Sequence, residues 1–107
     1  MNLPKTIKIG GHNYKVEYPY KFEERYDIYG QWNDPKKIIY ISDVDGNGIK
    51  RADSAIIVTF IHEILHAIDG IAGTDIFIAE KKGDREPAEF VSEVIYQILV
   101  ANGYLGE

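Results

Sequence analysis

Apolar and polar side chains alternate along the first part of the chain, which is typical of β-strands. Residues 5–19 (KTIKIGGHNYKVEYP) contain two alternating runs with Gly10-Gly11 between them, a pattern that predicts a hairpin. Residues 26–42 (YDIYGQWNDPKKIIYIS) repeat this pattern, with a predicted turn at Asn33–Pro35 and a strand over Lys36–Ile41. The first 42 residues therefore predict four short strands.

Helical patterns follow a polar, glycine-rich connection. Asp53 or Ser54 is a candidate N-cap for a helix that ends at Asp69 and is closed by Gly70. A second helix is predicted from residues 84–87 to the stop pair Asn102-Gly103. The order predicts an α+β fold, a small antiparallel sheet of about four strands packed on two helices, in one domain over residues 1–107.

The first predicted helix is apolar on nearly every side. Its polar exceptions lie three and four positions apart and so share one face: they are Thr59, His62, Glu63, His66 and Asp69. A helix of this kind is buried on most sides, and a buried polar line is costly unless its members find partners.

His62 and His66 are spaced to hold a metal ion between two turns of this helix. Side chains four residues apart stand one above the other, so two imidazole nitrogens can converge on a zinc ion. Glu63 lies off this line and can act as a general base on a zinc-bound water. The alternative is a buried helix whose histidines form hydrogen bonds with carboxylates.

Several residues of the sequence are candidates for the third metal ligand. The chain has no cysteine, and its one other histidine, His12, lies in a predicted hairpin turn. Glu89 and Glu93 are candidates, because apolar residues on the same side of the second helix indicate partial burial. A solvated acidic face is the alternative for this pair, and two further candidates are Glu80 and Glu86.

The His-Glu-x-x-His segment TFIHEILHAID, followed by AEFVSEVIYQILVANG, resembles the minimal zincin-type metallopeptidases of bacteriophages and mobile elements. The segments IKIGGHNYKVEY and YGQWNDPKKIIYIS resemble the two hairpins that precede the motif in such proteins. The chain is similar to gluzincins and departs from metzincins, which have Gly and His at the positions of Asp69 and Ala72. The resemblance implies a zincin-like fold, a Zn²⁺ cofactor and cleavage of a peptide or protein substrate, with Glu63 as the base.

The resemblance also implies roles for individual residues. Glu89 takes the place of the third ligand, and Glu93 is an alternative ligand or a support for a histidine, although gluzincins usually have Asp there. Tyr96 is a candidate donor to the oxyanion, because it follows the two glutamates along one face. Gly30 and Trp32, in YGQWND, are candidates for a strand edge that binds an extended peptide.

Residues 43–54 (DVDGNGIKRADS) imitate the first half of a calcium-binding loop. The twelfth position of such a loop is a bidentate Glu, whereas this chain has Ser54. A β-hairpin rather than a helix is predicted before the segment. We therefore interpret it as a polar connection between a strand and a helix.

Composition narrows the remaining function classes. The net charge is −5 and the lysines are scattered, so nucleic acid is not an expected partner. No apolar run indicates a signal peptide or a membrane span, which predicts a cytoplasmic protein without a membrane partner. The rival hypothesis is a zinc-stabilised binding or inhibitor module without peptidase activity. No residue pattern indicates an oligomeric state.

Overall fold

Four short strands precede two helices along the chain. The structure is a computed structural model that describes residues 3–23, 28–78 and 85–104. The elements are β1 (Thr6–Ile9), β2 (His12–Glu17), β3 (Gly30–Asn33), β4 (Ile38–Ile41), α1 (Asp53–Ala72) and α2 (Pro87–Ala101). The predicted α+β class, with four strands on two helices, is therefore confirmed.

The sheet has the order β1-β2-β4-β3 and is mixed. Each predicted hairpin is antiparallel, and Gly10 and Gly11 form the first turn with φ of +57° and +86°. Strands β2 and β4 run parallel, so the prediction of a wholly antiparallel sheet is wrong at this one junction. The alternation of side chains assigns faces to a strand but does not encode the direction of its neighbour.

Helix α1 is the central layer of the molecule. On one side it packs on the sheet through a buried cluster: Ile9, Tyr14, Val16, Ile39, Ile41, Ile56, Phe60 and Ala67. On its other side Ile61 and Leu65 pack against Ala88 of α2. This double packing explains why α1 is apolar nearly all round. By length and composition alone α1 could also cross a membrane, a test that the core helix of a soluble protein passes equally.

Gly70 does not end α1, contrary to the prediction. The helix continues to Ala72, and Gly73 closes it in the left-handed conformation with φ of +69°. A Cβ atom at Gly70 would lie 2.1 Å from Cη2 of Trp32, a strand residue that the helix must accommodate. The glycine is therefore explained by the close approach of β3 to α1.

The segment with calcium-loop character forms an internally bonded turn. Oδ1 of Asp45 accepts the main-chain N–H groups of Asn47 at 2.8 Å and Ile49 at 3.0 Å. Within residues 43–54, all of which the structure describes, no carboxylate belongs to a cluster of three or more His, Asp or Glu side chains close enough to share a metal ion. This geometry fits the interpretation as a polar connection.

Replacement of Gly70 by Ala is expected to destabilise the fold by about 1–3 kcal/mol, although alanine is the better helix former. The added methyl group overlaps the Trp32 indole. Urea denaturation followed by far-UV circular dichroism measures the change, because this signal does not depend on Trp32, the one tryptophan. In a Trp32→Leu background the same substitution is expected to be neutral or stabilising. Equal effects in both backgrounds would contradict the packing argument.

Candidate metal centre

Helix α1 brings the imidazoles of His62 and His66 together at its partly exposed face. Their Nε2 atoms are 2.9 Å apart, and the two ring centroids are separated by 4.7 Å. Two nitrogen ligands of a tetrahedral zinc ion stand about 3.3 Å apart, as the usual bond lengths require. A movement of a few tenths of an ångström would therefore let both nitrogens bind one ion.

Glu86 supplies a carboxylate to the same point. Its Oε1 lies 3.8 Å from Nε2 of His62, and its Oε2 lies 3.8 Å from Nε2 of His66. Ligand atoms of these three residues all lie within 4.8 Å of one another. Among the residues that the structure describes, they form the one such group, and it could hold a metal ion.

The start of α2 explains why Glu86 reaches the histidines. Glu86 has an extended backbone conformation, with ψ of 137°, and stands just before Pro87, the first residue of the helix. Ala88 is fully buried against α1, which brings the beginning of α2 close to the His-Glu-x-x-His turn. A Glu directly before a Pro at a predicted helix start is the sequence signal that could have favoured this residue.

Glu89 and Glu93, the expected ligand and its alternative, have another partner. Arg85 donates from Nε to Oε2 of Glu89 at 3.1 Å and from a terminal nitrogen to Oε2 of Glu93 at 3.0 Å. Both carboxylates are about half exposed, although they line the same cavity as the histidines. The structure therefore brings Glu86, not Glu89, to the imidazoles, and a ligand role for Glu89 stays a prediction. Glu80 lies outside the described residues.

Glu63 is buried beside the possible metal site. Its residue surface is 8% exposed, and burial, helped by the charge of Glu86, raises the pKa of its carboxyl to about 7. Hydrogen bonding from the main chain of Trp32 acts in the opposite direction. A carboxyl with a pKa near neutrality can both accept and release a proton at physiological pH.

The pKa of His62 is shifted downward, which favours the neutral imidazole that a metal ion requires. Burial is the main cause, and the neighbouring His66 adds to it. The carboxylates of Glu86 and Glu89 act in the opposite direction without cancelling the effect. The site therefore disfavours a protonated His62 before any ion is bound.

A cavity of about 640 Å³ joins these side chains to strand β3. The main-chain N–H of Ser42 donates to the carbonyl of Tyr29 at 2.8 Å. This bond shows which residues of β3 direct their main-chain groups toward β4. By the alternation of an antiparallel pair, the main-chain groups of Gly30 and Trp32 then point away from β4. β3 is the edge strand, so these groups form its free edge, which no described strand pairs with, and the main chain of Trp32 already hydrogen-bonds to Glu63 there.

Gly30 has a steric role beside this edge. A Cβ atom there would lie 2.8 Å from Cγ2 of Thr59 and 3.0 Å from Cγ of Glu63. Trp32 also lines the cavity, and its Nε1 is buried without a hydrogen-bond partner among the described residues. Both predicted substrate-binding residues therefore lie at the cavity, but whether they bind a substrate stays a prediction.

The chemistry of this chain has to be interpreted from its own geometry. Comparisons with models of protein families, with curated proteins and with solved structures found no match. The resemblance of the His-Glu-x-x-His segment to zincins therefore stays a resemblance. The placement of the two histidines, Glu63 and Glu86 in one cavity is a geometric observation that does not depend on this resemblance.

Tyr96 and His12 lie away from the candidate centre. Tyr96 packs in the contact between α1 and α2 and lines a separate groove near Ala55. It is not among the residues that line the metal cavity, so the structure does not bring the expected oxyanion donor to the histidines. His12 is exposed at the first residue of β2 and does not belong to the metal-ligand group.

In the metal-free protein, Glu63→Gln is expected to remove a pH dependence of the free energy of unfolding. The pKa of Glu63 rises from an ordinary value of 4.5 to about 7, so the folded state binds the proton more tightly. The stability that this proton contributes is present at low pH and is lost as pH rises through about 7. The loss is on the order of 3 kcal/mol.

Urea denaturation in the presence of a chelator, at about pH 5 and about pH 8, measures this contribution. The wild type should lose more stability than Glu63→Gln between the two conditions. The lowered pKa of His62 acts in the opposite sense and is common to both proteins, so it cancels in their difference. Identical pH profiles would show that burial does not perturb Glu63.

Proposed function

We propose that this protein is a zinc-dependent peptidase that hydrolyses a peptide bond in an extended peptide or protein segment. One observation carries the proposal. The buried Glu63 lies in the same cavity as three possible ligands, His62, His66 and Glu86. A site built only to hold a metal needs the ligands but not a nearby carboxyl that is costly to bury.

The donor set favours zinc. Two neutral imidazoles and one carboxylate, with room for a fourth group in an open cavity, match the ligands of catalytic zinc sites. A bound zinc ion would supply Lewis acidity, which polarises a carbonyl group and makes a water molecule acidic near neutral pH. His62, His66 and Glu86 would hold it, and the half-buried position of the imidazoles limits competition from solvent.

Glu63 would move the proton. Its carboxylate accepts a proton from the attacking water and then delivers it to the nitrogen of the leaving amine. The pKa of about 7 belongs to the metal-free protein, and a cation bound beside Glu63 would lower it and favour the carboxylate that accepts the proton. Gly30 lets β3 approach this carboxyl closely, so the free strand edge and the base face the same volume.

The free edge of β3 supports a peptide as the substrate. An extended segment could add to this edge by main-chain hydrogen bonds to Gly30 and to the carbonyl of Trp32, since the main-chain N–H of Trp32 donates to Glu63. Such binding is insensitive to side chains and would place a scissile carbonyl beside the metal site. A binding module without activity is the competing proposal, and the two differ in whether Glu63 is needed.

Glu86→Gln is expected to weaken Zn²⁺ binding by about 100-fold or more, since changes even beyond the ligands cost about 10–100-fold. Glu89→Gln is the matched control, because Glu89 lies three residues further along and is paired with Arg85. Competition with a chromophoric chelator measures both affinities. The opposite ranking would make Glu89 the third ligand.

Glu63→Gln is expected to retain Zn²⁺ and to lose peptidase activity by about 10²–10⁴-fold, the usual contribution of a general base. Cleavage of a mixed peptide library, analysed by mass spectrometry with and without a chelator, measures the activity. Lys8→Ala is a control for general damage, because this exposed side chain lies on β1 and does not line the cavity. Peptidase activity that survives Glu63→Gln would contradict the role of Glu63 as the general base. A wild-type protein that binds Zn²⁺ but cleaves no peptide would favour the binding module.

A further inference from the structure

Asp69 and Thr59 are the two members of the polar line on α1 that the proposed reaction does not use, and Asp69 is the more deeply buried. It is 4% exposed, and its carboxylate points into the segment that follows α1. Oδ1 accepts from Oγ1 of Thr74 at 2.7 Å and from the main-chain N–H of Ile76 at 2.9 Å. Oδ2 accepts from the main-chain N–H of Phe77 at 2.7 Å. Asp69 thus holds this segment at three points.

The segment in turn holds the beginning of α2. The carbonyl of Phe77 accepts the main-chain N–H of Ala88 at 3.2 Å. The Phe77 side chain packs against the cluster that contains Ile61, Leu65 and Ala88. Ala88 is fully buried two residues after Glu86, so any shift of Ala88 moves the carboxylate that faces the two histidines.

We infer that Asp69 is a positioning residue for Glu86, acting through Phe77 and Ala88. The inference rests on the proposed function, because it assigns Glu86 to the metal. The path of contacts begins and ends on α1. Asp69 lies one turn after His66, and the Glu86 carboxylate at the far end of the path faces His66 again. The last turn of α1 therefore sets the distance between the ligands of α1 and the ligand that precedes α2.

Asp69→Asn tests this path with little change in shape. All three groups around the carboxylate are donors, whereas an amide offers one oxygen and one NH₂ group. If the amide oxygen keeps the bonds to Thr74 and Ile76, the NH₂ group faces the N–H of Phe77, and two donors are opposed. In this orientation the substitution breaks the hydrogen bond that leads to Ala88, whereas the opposite orientation breaks the one to Ile76 in the same segment.

The decisive experiment is a double-mutant cycle on Zn²⁺ affinity with Asp69→Asn, Glu86→Gln and the double variant. Asp69→Asn is expected to weaken binding by about 10–100-fold. In the Glu86→Gln background it should cost less than about threefold, because the residue through which it acts is already lost. The absorption spectrum of the Co²⁺-loaded Asp69→Asn protein should also shift toward that of Glu86→Gln.

Thr74→Val is the matched control. It removes one hydrogen bond from the same carboxylate but leaves the bond to Phe77 intact, and it is expected to change the affinity less than threefold. A loss equal to that of Asp69→Asn would mean that the carboxylate acts only on the general stability of the segment. Equal costs of Asp69→Asn with and without Glu86 would overturn the inference and leave the metal site untouched.

Amide hydrogen exchange on the wild type gives a second test that needs no variant. Because coupling is reciprocal, Zn²⁺ bound through Glu86 must slow exchange at Phe77 and Ala88, the two N–H groups of the path. No slowing there, in a protein that binds Zn²⁺, would overturn the inference alone. Failure of the wild type to bind Zn²⁺ would overturn both the inference and the proposed function.

Discussion

The line of polar groups on a buried helix is the constraint on which the rest of this structure depends. α1 lies between the sheet and α2, so its polar side chains cannot all turn to solvent. Asp69 is satisfied by three donors, whereas Glu63 stays buried with a raised pKa. The side chains of His62, His66 and Glu86 lie close enough together for one metal ion to bind all three. The fold around this line is organised to supply those partners.

The close approach of β3 to α1 forms one wall of the cavity. Glycine is required at two points of this contact, Gly30 against Glu63 and Gly70 under the Trp32 indole. Side chains at either position would push the strand away from the helix. The same contact leaves the free edge of β3 beside the buried base, so packing and the proposed chemistry depend on the same pair of glycines.

Metal binding and folding are coupled in such a site. In the metal-free protein, a buried carboxyl and two closely spaced imidazoles reduce the free energy of unfolding, because each prefers water to a poorly paired interior. An ion that binds only the folded state would offset this loss. A chain of 107 residues has a small core, so such an offset would be a large fraction of its total stability.

The sequence alone determined the element types and half of the site. Alternation predicted both hairpins, and the spacing of His62 and His66 on an apolar helix predicted their convergence, because these are local periodicities. Only the tertiary structure decided that β2 and β4 are parallel, that Gly70 lies inside α1, and that Glu86 rather than Glu89 faces the histidines. Each of these depends on how two elements distant in sequence pack together. The burial of Ala88 and the hydrogen bonds of Asp69 act across such contacts, and no local pattern records them.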